Sequence, residues 1–396
     1  MKIVDFRVTC VAIPTNAKLR HNRGVHPGRL QRTILELITD EGIVGLGEVG
    51  GGDQRKALEK YRQHLVGLDP FNLNMIKLRL RSGAYFASTA LIYAAIEMAC
   101  LDIMGKALGR PMHMLLGGAV RDRVPFIGYI FWRYDRPDGK DDTCAEDVAE
   151  HCVELRDTLG VGAMKLKAGV FDPDEEARAM ELCRDRLGDG FGLRIDPNGV
   201  WSVTTAIRIG RRLESVGLQF YEDPSWGLTG NAAVRAAVRI PVATNMYPAR
   251  FDDLAPGIRL GAVDVVLTDL HYWEGPRGVL DLVSVCRSFG LGVAMHSGTE
   301  FGIELAAMIH TAASIPEMTF EGDAHYHYLT DDIIVGGKMA YRDGAIAVPT
   351  GPGLGVQIDQ DKLRHYAAYF DKMGDYYGAW PRDARRPEWV PMTGAM

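Results

Sequence analysis

Lys165 and Lys167 stand two residues apart in Gly-Ala-Met-Lys-Leu-Lys-Ala, an apolar run that reads as a buried strand. Alternation turns both ammonium groups to one face, with Met164 and Leu166 on the other. Unpaired buried lysines are costly, so anionic groups must meet them. The chain offers an ordered series downstream, Asp196, Glu222, Asn245, Asp269 and His296, each at the end of its own apolar segment. Asp196, Glu222 and Asn245 supply three hard oxygen ligands, a set that suits Mg2+ and, with no Cys or His cluster beside it, does not suit zinc. Any one of them could instead cap the helix that follows, as Asp196-Pro197-Asn198 or Glu222-Asp223-Pro224 would. Three in register with a lysine pair and a histidine argue for the metal. Asp269 and His296 end neighbouring strands and can hydrogen-bond, which fixes the imidazole tautomer and makes a general acid or base poised near neutral pH.

These positions must be held by a repeating scaffold. From Lys167 onward they recur at intervals of 23 to 29 residues, the length of one strand, one helix and two short loops. The strand halves are Phe-Gly-Leu-Arg-Ile before Asp196, Leu-Gln-Phe-Tyr before Glu222, Ile-Pro-Val-Ala-Thr before Asn245, Val-Asp-Val-Val-Leu-Thr before Asp269 and Leu-Gly-Val-Ala-Met before His296. Pro173 to Arg186 carries acids early and arginines late, as a helix dipole prefers. Val124 to Phe131 and Glu317 to Gly322 bring the strand count to about eight. The expected fold is therefore α/β: a TIM-type (β/α) barrel of seven to eight units over residues 124–350, with functional groups at the carboxyl ends of its strands. A doubly wound sheet is the alternative, but it would not gather groups from six successive strands around one point. Residues 1–123 lack the rhythm and read as an α+β capping domain. Its strands are Lys2 to Pro14, Arg32 to Thr39 and Ile43 to Glu48, with helices from Gln54 to Leu108, the last capped near Ser88-Thr89. Residues 351–396 read as a tail that packs back on this lid.

Composition bounds the partners. With 396 residues, 47% of them hydrophobic, the chain can bury a large core. A net charge of −6 gives no reason to expect nucleic acid or an anionic membrane. No apolar run reaches the roughly 20 residues of a bilayer span, and the first residues lack the apolar core of a signal peptide. Six cysteines without a Cys-x-x-Cys pair suggest reduced thiols in the cytoplasm.

Lys165-x-Lys167, Asp196, Glu222, Asn245 and the Asp269/His296 dyad resemble the catalytic set of the enolase superfamily, and within it the glucarate dehydratase group. Arg-Ile-Asp-Pro-Asn-Gly (194 to 199), Tyr-Glu-Asp-Pro (221 to 224), Ala-Thr-Asn-Met (243 to 246) and Leu-Leu-Gly-Gly (115 to 118) carry the same resemblance, which runs to Gly351-Pro352-Gly353-Leu354-Gly355. Asparagine as third ligand resembles the dehydratases in particular. The resemblance implies an acid-sugar substrate, Mg2+ as cofactor and a homo-oligomer. It also implies removal of the proton next to a carboxylate, with Mg2+ and Lys165 offsetting the charge that forms. Lys167 and His296 would face the substrate from two sides. His296 would protonate the departing hydroxyl, giving a 2-keto-3-deoxy acid.

The same resemblance implies substrate contacts from His26, Asp323, His325 and Arg382, and we group Asn198 and Ser297 with them. Arg29-Leu30 replace an aromatic pair, and Ser297-Gly298-Thr299-Glu300 lacks the group's amide side chains, so the substrate's far end is expected to differ from glucarate; Arg29 becomes a candidate reader of it. An aldonate is as compatible as an aldarate. Three other readings are a racemase or epimerase using Lys167 and His296 as opposed bases, an inactive acid-sugar-binding protein, and a Schiff-base lyase using Lys167. The asparagine ligand, the intact base set and the three metal ligands weigh against them in turn.

Overall fold

A computed structural model describes residues 1–81 and 89–390. In the first part β1 (Ile3–Pro14), the hairpin β2 (Lys18–His21) and β3 (Gly24–His26), β4 (Arg29–Thr39) and β5 (Val44–Val49) follow one another. β1, β4 and β5 form an antiparallel sheet with Thr33 paired to both Cys10 and Val49. The long apolar helix Ala90–Leu108 lies on it so closely that a Cβ at Gly45 or Gly47 would sit 2.1 or 2.2 Å from the carbonyl oxygens of Ala99 and Ala95. Only glycine allows that approach. Thr89 precedes the helix without a side-chain capping bond, and Ser88 lies outside the described residues.

The expected continuous strand Val124 to Phe131 is broken. β6 (Arg123–Pro125) pairs with β15 (Ala345–Ala347), whereas β7 (Gly128–Ile130) enters the main sheet and β8 (Trp132–Tyr134) joins β2 and β3. Pro125 lacks the N–H that an uninterrupted ladder needs. The main sheet runs β7, β9 (Ala163–Lys167), β10 (Gly192–Asp196), β11 (Phe220–Glu222), β12 (Val242–Thr244), β13 (Val265–Thr268), β14 (Gly292–Met295), all parallel and in chain order. It has no point of reversal, which rules out the doubly wound alternative.

An eighth strand at residues 317–322 is not formed. The segment begins in a turn at Glu317 and bends at Phe320, yet hydrogen-bonds on both sides, Thr319 N to Val293 O at 3.1 Å and Ile127 N to Gly322 O at 2.9 Å, with one bridge between Phe126 and Gly322. It therefore fills the eighth place with too few pairs for a ladder. Helices cover the outside; Pro173–Leu187 starts on Asp172, which accepts from Asp174 N, and ends on Arg184 and Arg186. Inside, Phe220, Ala243, Val265, Leu267 and Ala294 form an apolar plug. Helix Gln360–Met373 returns to the first sheet, where Phe370 packs with Cys10 and Ala12.

Candidate active site

Strand parity sets Lys165 and Lys167 inside the barrel, and the sequence supplies their counter-charges from neighbouring strands. Lys165 Nζ lies 2.7 Å from Glu222 Oε2, bonds Asp323, and sits 4.6 Å above the ring of Tyr129, its partner across β7. Lys167 Nζ lies 2.6 Å from Asp196 Oδ2. Burial alone would strip Lys165 of its proton, but Asp323 and Glu222 reverse that and hold the ammonium well above its usual range. Lys167 follows the same pattern, with Asp196 as the main opposing charge. Both are thus fully paired cations in a dry interior.

Asp196, Glu222 and Asp223 bring carboxylate oxygens within 4.8 Å of one another, all buried. Burial and the charge of Asp196 push Glu222 well above the usual carboxylate range, a crowding that a dication would relieve. Of the expected metal ligands, two have a buried oxygen without a hydrogen-bond partner, Glu222 Oε1 and Asn245 Oδ1. Unsatisfied hard oxygens beside the ionised Asp196 fit Mg2+. Asp223, by contrast, is occupied by the chain: it accepts from Thr244 Oγ1 at 2.5 Å and from Asn245 N at 3.0 Å. It fixes Asn245 from behind, a role that sequence reasoning missed because Asp223-Pro224 reads as a helix cap. Asn198 likewise supports a ligand, donating from N (2.8 Å) and Nδ2 (2.6 Å) to Asp196 Oδ1.

His296 Nδ1 lies 2.9 Å from Asp269 Oδ2, and its Nε2 lies 2.9 Å from Asn245 Nδ2. The carboxylate accepts the hydrogen bond from Nδ1–H, which leaves the Nε2 lone pair on the cavity side, where it accepts from the amide. Burial opposes charge on Asp269, yet the bond and charge of His296, helped by His271, hold its carboxyl down at about 2.

A cavity of about 220 Å³ lies between the barrel mouth and the first sheet, with Lys165, Asp196 and Glu222 behind its lining. Lys167, Asn198, Asn245, Asp269, His296, Ser297, His26 and His325 line it. Ser297 Oγ lies 2.6 Å from both Glu300 Oε2 and His325 Nδ1. His26 meets Tyr376 at 3.3 Å, and burial, with Arg23 and Lys167 nearby, lowers it to about 3. Three expected substrate contacts fall elsewhere. Arg29 bonds the carbonyls of Met373 and Gly374 at 3.2 Å and so fastens the tail. Asp323 is sealed behind Lys165 and lies 3.6 Å from Arg194. Arg382 is exposed and stands off the cavity, while its neighbour Asp383 pairs with buried Arg20 at 2.6 Å. In their place the wall includes Tyr129, Arg23, Arg32, His271, Tyr377 and Trp380. Tyr129 was accessible from strand parity, since it lies beside Lys165; Arg32 lies on lid strand β4, and the others come from loops, the hairpin tip and the tail, where no period applies.

Two family models match the chain: "Mandelate racemase / muconate lactonizing enzyme, N-terminal domain" over residues 11–117 and "Enolase C-terminal domain-like" over residues 147–362. A curated protein of Streptomyces coelicolor described as "Probable glucarate dehydratase" is 36% identical, the alignment covering 98% of each chain. A crystal structure of an enolase from Thermobispora bispora complexed with magnesium and formate superimposes with a TM-score of 0.90 at 36% identity, covering 100% of this chain and 99% of that one. An enolase from Mycobacterium smegmatis complexed with tartrate gives a TM-score of 0.90 at 35% identity, with 100% and 98% covered.

Proposed function

Because this chain belongs to the enolase superfamily, we propose that it is a Mg2+-dependent acid-sugar dehydratase that converts an aldarate or aldonate to a 2-keto-3-deoxy acid. The observation that carries the reading is the joint position of Lys167 and the Asp269-fixed His296 on the wall of one small cavity, beside the free Oδ1 of Asn245. A volume of about 220 Å³ suits a small acid; drug-sized ligands need roughly 300–1,000 Å³. The relative that holds tartrate, a diacid with hydroxyls next to its carboxylates, supports the substrate class.

Asp196, Glu222 and Asn245 would hold Mg2+, which when bound draws charge from the substrate carboxylate and acidifies the neighbouring C–H bond. Lys165, buried as an ammonium beside Glu222, adds a fixed positive charge to the same end of the site. His296 takes the proton on its Nε2 lone pair, or Lys167 takes it, according to the configuration at that carbon; Asp196, engaged in holding Mg2+, would no longer hold the ammonium proton of Lys167. The electron pair forms the C=C bond as the hydroxyl on the next carbon leaves, and His296, carrying on Nε2 the proton it has just abstracted or one taken from solvent beforehand, gives it to that hydroxyl, so that water departs. The enol then becomes the keto acid. Ser297 and His325, bonded to each other, face the remaining hydroxyls.

The test is to incubate the protein with Mg2+ and a stereochemically complete set of four- to six-carbon mono- and diacid sugars and to trap new carbonyls with semicarbazide. At least one acid should yield a keto product, and prior treatment with EDTA should abolish it until Mg2+ is restored. Inversion next to the carboxylate with no keto product would replace this reading by the epimerase one. Full turnover after exhaustive chelation would remove the metal from it.

A further inference from the structure

Three cations border the cavity, Arg23, Arg32 and Lys167, and two of them are committed. Arg32 is held by Glu48 and Glu304, and Lys167 by Asp196. Among the described residues, Arg23 forms no ion pair. It projects from the tip of the β2–β3 hairpin, exposed at the cavity mouth, with its guanidinium 5.8 Å from the ring centre of Trp380. The hairpin tip is firmly seated: a Cβ at Gly24 would meet Trp380 Cβ at 2.7 Å, and the neighbouring Arg20–Asp383 pair, 2.6 Å long and buried, ties hairpin to tail. The histidines beside it, His21 and His26, are kept neutral first by burial and then by the nearby positive charges, so they do not share its role as a cation. Arg29 and Arg382, the two arginines that the sequence offered as substrate contacts, do not line the cavity.

Resting on the dehydratase reading, we propose that Arg23 binds the second carboxylate of a diacid sugar whose first carboxylate lies at the Asp196, Glu222 and Asn245 end. The site thereby selects aldarates over aldonates of the same stereochemistry. A guanidinium fork matches a carboxylate with two parallel N–H···O bonds, whereas a terminal CH2OH leaves both the charge and the fork unmatched.

The experiment compares wild type, Arg23→Ala and Arg23→Lys, with Mg2+ present, on pairs of six-carbon aldarates and aldonates. Turnover and calorimetric binding are both recorded. Wild type should favour one aldarate over its aldonate by about 10-fold or more. Arg23→Ala should raise the aldarate KM by a similar factor with kcat within about 3-fold, the pattern of lost uniform binding, and leave the aldonate KM unchanged. Arg23→Lys should recover part of the loss. A merely structural role would weaken both ligands alike and overturn the assignment. An aldarate preference that survives in Arg23→Ala, or a wild type that dehydrates only aldonates, would also overturn it and leave the dehydratase standing. If no acid is dehydrated, the dehydratase reading fails, and the calorimetric aldarate preference of wild type over Arg23→Ala still decides for or against Arg23.

Discussion

His296 can exchange protons with a ligand through Nε2 only while Nδ1 carries its own proton toward Asp269, at 2.9 Å. Asp269 is in turn fixed by the backbone N–H of His271 at 2.7 Å, so the dyad is aimed before substrate arrives. Asp269→Asn would let the amide donate to Nδ1 and turn the imidazole to the wrong tautomer. We expect kcat to fall by at least about 10² with KM within a few-fold, the signature of a group that acts only in the transition state. Steady-state kinetics on the substrate found by carbonyl trapping measures this, and a variant with wild-type kcat would remove the dyad from the chemistry. The partnership of Asp269 with His296 was legible in the sequence because both end adjacent strands of a regular repeat. The bond from Asn245 to His296 was not, because it skips the intervening strand β13 and depends on side-chain reach rather than spacing. The placement of Arg382 off the cavity lining was not legible either: its motif is local, but the tail that carries it has no periodic framework to fix which side faces the cavity.

At the scale of elements, the loop after β9 shows how a helix start holds a catalytic strand end. Glu176, in the first turn of helix Pro173–Leu187, accepts the backbone N–H groups of Gly169 (2.7 Å), Val170 (2.9 Å) and Phe171 (3.0 Å), directly beyond Lys167. Burial raises its carboxyl to about 7 despite those bonds. A carboxyl raised in the fold keeps its proton there while the unfolded chain loses it, so its contribution to stability falls as pH rises from about 4.5 to about 7. Glu176→Gln keeps an acceptor and removes the ionisation. The stability of wild type relative to this variant should therefore drop by roughly 2 to 3 kcal/mol between pH 5 and pH 8. Urea midpoints of both proteins at the two pH values check it, and a constant difference would show that Glu176 ionises in the fold without penalty. The helix itself was legible from its acids, arginines and proline. The eighth strand was not formed because residues 317–322 bond too sparsely, and Pro125 divides Val124 to Phe131 in a way that an apolar run conceals.

Across the whole molecule, a buried guanidinium is among the links that join lid to barrel. Arg32 of β4 lies 2.7 Å from Glu48 Oε1 of β5 and donates to Gly298 O at 2.7 Å, two residues beyond His296. It also bonds Glu304, at the start of helix Gly302–Ala313, while Glu48 accepts the N–H groups of Phe301 and Glu304 at 2.7 and 2.9 Å. Lid sheet, helix start and catalytic loop thus share a single charge. Arg32→Met keeps the bulk but strands two buried carboxylates, an arrangement that costs about 3–5 kcal/mol. The variant should unfold at correspondingly lower urea, and turnover should fall because the loop carrying His296 and Ser297 loses its fastening. Burial already pushes Glu48 above the usual carboxylate range with Arg32 in place. Without the guanidinium Glu48 rises further and takes up a proton in the fold before the unfolded chain does, so the variant regains stability relative to wild type as pH falls from 8 to 5. Equilibrium unfolding across that range separates the two explanations of any loss. A deficit that shrinks toward pH 5 identifies stranded charge, whereas one that stays constant would mean that Arg32 joins lid to barrel by packing alone.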